Sequence, residues 1–251
     1  KVDMLLVGDG GEVAADLRSA KLLARKLIEL RISAVVDLYE LKLSDRRRYV
    51  RLFLESLMAV PRKHWHQVIV MIDESHVFAP ERSAGDAEST QAVISLMSQG
   101  RKRGFCGILA TQRISKLHKD AAAECNNVCI GRTNLDVDLK RAADVLGMSK
   151  ADAAKLRTLP PGSWHGFGPA FDFGGVETFK AASVATKHPE AGKRHEFTAP
   201  APSKAISKVL PELEDLPAEA EKEIDDLAAA KAKIAELERH AKGGIQPVDP
   251  E

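Results

Sequence analysis

The chain has 251 residues, and its 37 Lys and Arg balance 36 Asp and Glu, so the formal net charge of +1 provides no global attraction to nucleic acid. Hydrophobic residues make up 44% of the chain and aromatic residues only 5%, which predicts a sizeable core built mainly from Leu, Ile, Val and Ala. The three cysteines indicate no disulfide framework, and no apolar run reaches transmembrane length. We therefore expect a cytoplasmic protein without a membrane partner.

Short apolar runs alternate with amphipathic runs along the first two thirds of the chain, which predicts βαβ units and a mainly parallel sheet. The resulting fold class is α/β. Strands are predicted at residues 3–8, 33–39, 68–72, 103–113 and 127–133. Helices are predicted at residues 16–31, 44–60, 89–102, 120–125, 135–147 and 149–159. Residues 160–171 are predicted to form a terminal hairpin in which Trp164 and Phe167 pack.

The composition changes beyond the first 180 residues, which we assign to the main domain. Residues 181–216 are polar and rich in proline, as expected of a linker or an arm. Residues 217–242 are rich in Ala, Glu and Lys, and Lys231 interrupts a row of apolar residues, so a short coiled coil or a docking helix is predicted. Residues 243–251 are predicted to form a frayed tail. The apolar residues of that row are Ile224, Leu227, Ile234 and Leu237.

The apolar run at residues 68–72 ends in two adjacent carboxylates, Asp73 and Glu74. An unbroken apolar run is typical of a strand that is buried on both faces, and the carboxyl end of such a strand is where open α/β sheets bind ligands. Asp73 is suited to hold a magnesium ion there, and Glu74 is suited to polarise a water. The alternative is an ordinary strand end whose acids face solvent and cap the next helix.

A second apolar strand, within residues 103–113, ends in Gln112. A glutamine beside an acid-bearing strand can orient an attacking water toward a γ-phosphate, although a lone glutamine more often satisfies loop backbone groups. The basic residues Arg101, Lys102 and Arg103 precede this strand and make the combination less generic.

Together these segments resemble the RecA-like motors of the HerA/FtsK superfamily, and the HerA-like branch most closely. The resemblance spans roughly residues 4–171 and is carried by residues 32–41, 73–81, 98–113 and 159–168. It implies a RecA-like three-layer core in which Asp73 supports Mg²⁺, Glu74 is the catalytic base and Gln112 is a sensor of bound ATP. It also implies a homo-hexameric ring that translocates double-stranded DNA, often beside a nuclease partner.

One element of that family is missing from the sequence. A P-loop requires G-x-x-x-x-G-K-[ST], so that backbone N–H groups and a lysine hold the phosphates, and no such segment occurs. The glycine-rich residues 8–11 have no lysine at the required offset, and residues 191–194 lack both the leading glycine and the hydroxyl. We expect the P-loop to lie upstream in a longer protein, and we expect these 251 residues alone not to hydrolyse ATP.

The basic residues near the glutamine strand have two interpretations each. Arg101 and Arg103 lie at a predicted helix end. Each arginine has two possible roles there, to cap the carbonyl groups of the helix end or to complete the ATP site of a neighbouring subunit. Arg113 contacts phosphate or pairs with an acid. Lys116 and Lys119 contact DNA phosphates or face solvent, the second being the default for a loop.

Two classes of function follow from the sequence. The first is the ATP-hydrolysing part of a DNA-translocating motor, with a conjugative coupling ATPase or a DNA-packaging ATPase as a variant of it. The second is a non-hydrolysing ring or scaffold subunit. The joint presence of Asp73, Glu74 and Gln112 favours the first class, because a scaffold has no physical need for all three.

Overall fold

The computed structural model describes residues 3–81, 87–171, 175–183 and 201–243. The chain divides into two compact units, one formed by residues 1–40 and 200–251 and the other by residues 41–199. Mixed α/β structure with parallel strand pairs confirms the predicted fold class. The predicted domain limits at residues 180, 216 and 242 remain predictions. Part of the predicted linker, residues 184–200, and the tail from residue 244 onward lie outside the described residues.

The first unit contains a parallel strand pair. β1 (Leu5–Val7) pairs with β2 (Ala34–Val36), and α1 (Ala20–Glu29) connects them as a crossover helix. The apolar stripe of α1 is buried because its residues recur at helical spacing, with Leu23 fully buried. Two later helices belong to the same unit, α7 (Lys204–Val209) and α8 (Leu216–Gly243).

The second unit contains the acid strand and the glutamine strand. Its first helix, α2, spans Leu43–Ala59 and packs beside α3 (Thr90–Gln99). α3 connects β3 (Val68–Ile72) to β4 (Phe105–Leu109), and the two strands pair in parallel, with Ile72 opposite Leu109. This parallel pairing brings the carboxyl ends of both strands to the same edge.

The remainder of the second unit is built on an antiparallel sheet. β5 (Val128–Ile130), β6 (Ser163–Phe167) and β7 (Glu177–Lys180) form it, with β6 in the centre. Three helices accompany these strands. They are α4 (Lys119–Ala123), α5 (Asp136–Leu146) and α6 (Lys150–Ala154). Buried Leu139, Leu146 and Leu156 form a core with Ile130.

Two expectations about these strands are wrong. β3 is not buried on both faces, since Ile69 and Met71 are 70% and 64% exposed. Within the described residues the helices cover only one face of the β3–β4 pair, so the other apolar face is open. Residues 160–171 do not form a hairpin, because β6 runs as one strand that pairs with β5 and β7 on its two sides. Trp164 and Phe167 are accordingly 37% and 41% exposed rather than packed.

Candidate active site at the carboxyl ends of two parallel strands

The two predicted catalytic side chains meet directly. The Nε2 atom of Gln112 donates a hydrogen bond to Oε1 of Glu74 at 2.5 Å. The contact depends on the parallel register, which continues past the strands through the hydrogen bond from Ala110 N to Ile72 O at 3.0 Å. The predicted adjacency of the two side chains on parallel strands is therefore confirmed, while their roles in catalysis remain predictions.

The backbone of Glu74 adopts a conformation that a glutamate rarely takes. Its φ of 45° and ψ of 41° lie in the left-handed region, where a side chain with a Cβ is strained. The next residue, Ser75, is fully buried and fixes the turn, because its N–H and its hydroxyl both donate to Ala110 O at 2.8 and 2.9 Å. The turn aims the Glu74 carboxylate across toward the end of β4.

The second carboxylate oxygen of Glu74 faces a histidine that sequence reasoning missed. Oε2 lies 3.3 Å from Nδ1 of His76, yet it is buried and accepts no hydrogen bond from the described residues. Nδ1 of His76 is 2.9 Å from Oγ1 of Thr111, which in turn accepts from Arg113 N at 3.0 Å. The direction of the hydrogen bond between His76 and Thr111 depends on which ring nitrogen of His76 carries the proton. Oε2 of Glu74 has no hydrogen-bond partner among the described residues.

Asp73 is exposed at the same edge of the sheet. Its Oδ1 accepts the N–H of Glu74 at 2.9 Å, which leaves the other oxygen available to a ligand. Magnesium is commonly held by one or two protein carboxylates together with phosphate and water oxygens, so an exposed carboxylate at this position fits the ion. Within the described residues, no group of three or more His, Cys, Asp or Glu side chains is arranged to hold a metal ion alone.

Arg113 pairs with an acid in this structure. Its Nε donates to Oδ2 of Asp138 at 3.0 Å, and Oδ1 of Asp138 accepts Ser115 N at 2.8 Å. Burial of the Asp138 carboxyl raises its pKa, but the hydrogen bonds from Ser115 and Arg113 and the charge of Arg113 outweigh burial and hold the pKa below its usual value. Asp138, which nothing in the sequence singled out, thus anchors the loop that follows Gln112. The predicted contact of Arg113 with phosphate remains a prediction.

Arg101 and Arg103 lie at the opposite end of β4 from Gln112. They belong to a 3-10 turn (Gly100–Arg103) that precedes the strand, and five strand residues span roughly 16 Å. The guanidinium of Arg103 lies 5.6 Å from the ring centroid of Trp65, whereas Arg101 is exposed. Neither arginine is therefore near the Glu74 carboxylate of its own chain.

Lys116 and Lys119 lie in the loop beyond Gln112, which is held against the loop beyond Glu74. Glu81 N donates to Lys116 O at 2.7 Å, and Lys119 N donates to Oε2 of Glu81 at 2.7 Å. Both lysines are exposed at the same end of the strands as Glu74. Their predicted contact with DNA remains a prediction.

The glycine-rich residues 8–11 do not form a phosphate-binding loop. The N–H groups of Gly8, Gly11 and Glu12 donate to Val13 O, Gly8 O and Leu6 O at distances of 2.8, 3.1 and 2.9 Å. A P-loop needs such N–H groups to point at its ligand, and here they close a tight turn instead.

The candidate site lies within a stretch of the chain that matches a known protein-family model. Residues 50–140 match the model described as zonular occludens toxin (Zot), a family of P-loop ATPases. No curated protein matches the chain.

Solved structures similar to the chain include the genome packaging NTPase B204 from Sulfolobus turreted icosahedral virus 2 in complex with sulfate. It is 14% identical over 72% of this chain and 83% of that chain, with a TM-score of 0.49. The crystal structure of B204, the DNA-packaging ATPase from Sulfolobus turreted icosahedral virus, is 17% identical over 72% and 84%, with a TM-score of 0.47.

Within the described residues, no helix is both long enough and apolar enough to cross a membrane.

Every candidate site residue lies within the stretch that matches the Zot model. The match supports a P-loop ATPase of the broad FtsK/HerA-like group and does not favour the HerA branch within it.

Proposed function

We propose that this chain supplies the hydrolytic half of an ATP-driven motor that moves double-stranded DNA. The observation that carries the proposal is the hydrogen bond between Gln112 and Glu74, which joins two residues 38 positions apart at the ends of adjacent parallel strands. An acid and an amide held together at this edge are the groups needed to position a water and accept its proton.

In the proposed reaction each side chain has one task. The carboxylate of Glu74, whose Oε2 has no hydrogen-bond donor among the described residues, accepts the proton of the attacking water. Gln112 holds the carboxylate through Oε1 and orients the water. Asp73 supports Mg²⁺, which when bound with ATP neutralises charge on the phosphates.

The phosphates themselves need a partner segment. The sequence contains no P-loop motif, and the turn at residues 8–11 uses its own N–H groups. We refer to this chain together with a segment that binds the phosphates as the complete protein. The chain alone is expected to hydrolyse ATP only at background rate.

The proposal extends to the class of motor, for which there are two candidates. A HerA-like translocase that works as a homo-hexamer, with a possible nuclease partner, is the first candidate. A DNA-packaging ATPase or a conjugative coupling ATPase of the same group is the alternative, and the match to the Zot model is equally compatible with it. A non-hydrolysing scaffold is disfavoured, because it needs neither the strained Glu74 nor its contact with Gln112.

The experiment is a comparison of nucleotide binding and turnover in the complete protein. Glu74→Gln should abolish turnover while ATP binding persists, because the amide keeps the shape and removes the base. Glu55→Gln is the matched control, since Glu55 pairs with Arg51 on α2 far along the chain from the site. Undiminished turnover by the Glu74 variant, or robust hydrolysis by the 251-residue chain alone, would overturn the proposal.

A further inference from the structure

The longest helix among the described residues, α8, carries a regular row of mostly apolar residues as far as Leu237. In α8 and the turn before it, the row consists of positions spaced alternately three and four residues apart. Such alternating spacing, continued along a helix, is the pattern of a left-handed coiled coil. In chain order the row is Leu213, Leu216, Ala220, Leu227, Ala230, Ile234 and Leu237, with Glu223 at the one position that is not apolar.

Lys231 lies beside this row rather than in it. Once Leu213 and Leu216 are included, Ala230 occupies the row at that level. In heptad notation Leu227 and Ile234 take position a, and Ala230 and Leu237 take position d. Ile224 falls at position e, on the flank of the row.

The row changes abruptly from buried to exposed. Leu213, Leu216 and Ala220 are 2%, 1% and 6% exposed within the first unit, whereas Leu227 and Leu237 are 56% and 57% exposed.

Ion pairs between α8 and α1 lie at the boundary between the buried and the exposed part of the row. Lys26 Nζ pairs with Glu219 at 2.6 Å, Arg18 with Glu221 at 2.8 Å, and Arg25 pairs with Glu223. The helix continues for 20 residues beyond Glu223, or about 30 Å, with its apolar row uncovered.

We infer that this exposed row, from Leu227 to Leu237, packs in parallel against the same row of a second copy of the chain. The charges beside the row select this partner and this orientation. In a parallel pair, position g of one helix faces position e of the next heptad on the other helix. Asp226 then faces Lys231, and Lys233 faces Glu238, and twofold symmetry forms each pair twice.

An antiparallel pair lacks this complementarity. With the apolar rows aligned, it places Lys231 against Lys231 and Lys233 against Lys233 of the other copy. Like charges at flanking positions disfavour an arrangement, so the sequence of α8 discriminates against the antiparallel form. Asp226, Lys231 and Glu238 are all exposed and positioned for contact between chains.

The association is expected to be reversible and dependent on concentration. The exposed row covers only about two heptads, fewer than the three or four that sustain an independent coiled coil. The helix is already nucleated by its buried first turns, which removes part of the cost of ordering it. Self-association through α8 requires neither ATP hydrolysis nor the proposed function.

The first test measures self-association of the 251-residue chain by sedimentation equilibrium. Leu237→Ser should weaken the dimer roughly tenfold or more, since each dimer loses two buried leucines. Ile224→Ser is the matched control, because Ile224 is similarly exposed at 62% but lies on the flank, and the dimer should weaken by no more than a few fold. A chain that remains monomeric at the highest soluble concentration overturns the inference, as does an equal effect of both variants.

The second test determines whether the two copies of α8 are parallel by exchanging the charges at positions 226 and 231. Asp226→Lys alone brings two lysines together, and Lys231→Glu alone brings two acids together, so each variant should self-associate more weakly than the unaltered chain. An equimolar mixture of the two should recover association as a heterodimer, because both flanking contacts are then between opposite charges. A mixture that associates no better than either variant alone contradicts the parallel arrangement.

Discussion

Gln112 and Glu74 are joined by a hydrogen bond across the carboxyl ends of β3 and β4, although 38 residues separate them. The strained turn at Glu74 and the buried Ser75 behind it keep the carboxylate facing β4. The carboxylate is held by the glutamine through one oxygen, and its other oxygen has no hydrogen-bond partner among the described residues.

Replacing Gln112 should separate catalysis from stability. Gln112→Ala should lower turnover of the complete protein about a hundredfold, the usual scale for a group that orients the reacting water. Unfolding free energy should change by less than about 1 kcal/mol, because the side chain is exposed. Steady-state ATPase assays and urea titrations measure both. Gln99→Ala is the control, and equal turnover in the two variants would remove Gln112 from the site.

The left-handed backbone of Glu74 predicts an unusual order of stabilities among its variants. Glu74→Gly should be at least as stable as the unaltered chain, because glycine adopts a positive φ without steric cost. Glu74→Val should be less stable than the glycine variant by about 2 kcal/mol, since a β-branched residue is strained there. Both variants lack the carboxylate, so denaturant midpoints compare backbone strain alone. A valine variant as stable as the glycine variant would contradict the strained turn.

Asp138 should make the stability of the second unit sensitive to acid. Its pKa is below the usual value in the folded state, so the stability it contributes is fully present above the unfolded pKa of about 3.9 and is lost as the pH falls through the folded pKa. Asp138→Asn should cost about 2 kcal/mol at neutral pH, because Ser115 N and Arg113 lose a charged acceptor.

The difference in unfolding free energy between Asp138→Asn and the unaltered chain should therefore shrink below about pH 4. Asp136→Asn is the matched control in the same helical turn, since Asp136 is largely exposed and its ion pair with Arg157 is worth little. Urea titrations at several pH values test this. A penalty for Asp138→Asn that does not vary with pH would show that the carboxylate charge is not what anchors the loop.

The two arginines before β4 should have different effects. Arg101 is exposed, so Arg101→Ala in the complete protein should lower turnover on the order of a thousandfold if it completes a neighbouring ATP site, and should leave stability unchanged. Arg103 contacts Trp65, so Arg103→Ala should cost about 1 kcal/mol of stability and little turnover.

Mixing subunits tests the trans arrangement directly. Inactive Glu74→Gln and inactive Arg101→Ala proteins should regain partial activity when combined, because some interfaces then pair an intact base with an intact arginine. Full activity of the Arg101 variant, or activity of a species that stays monomeric by light scattering with nucleotide and DNA, would exclude this arrangement.

Lys116 and Lys119 should contribute to DNA binding through charge alone. Each alanine replacement should weaken binding to all sequences alike and reduce the slope of log affinity against log salt by about 1. Lys150→Ala is the control, since Lys150 is exposed on α6 in the antiparallel part of the second unit. Fluorescence anisotropy over a salt series measures the slope. An unchanged slope for the Lys116 and Lys119 variants would remove the loop from the DNA interface.

Local patterns predicted the parts of this protein that depend on neighbouring residues. The apolar run at residues 68–72 matches β3, and the glycine at position 147 ends α5 in a left-handed conformation as its residue type predicts. The approach of Glu74 to Gln112 was also predictable, because parallel strands linked by a helix place their carboxyl ends together.

Contacts between segments distant in sequence were decided only by the tertiary structure. His76, Thr111 and Asp138 have no local pattern that marks them, and they acquire their partners only when β3, β4 and α5 are in place. The burial of a strand likewise depends on which elements cover it. Ile69 and Met71 are therefore exposed, although the apolar run that contains them predicts a buried strand. Composition and periodicity determined which segments form helices and strands, whereas packing determined which faces are covered and which polar atoms meet, because those depend on elements that lie far apart in the chain.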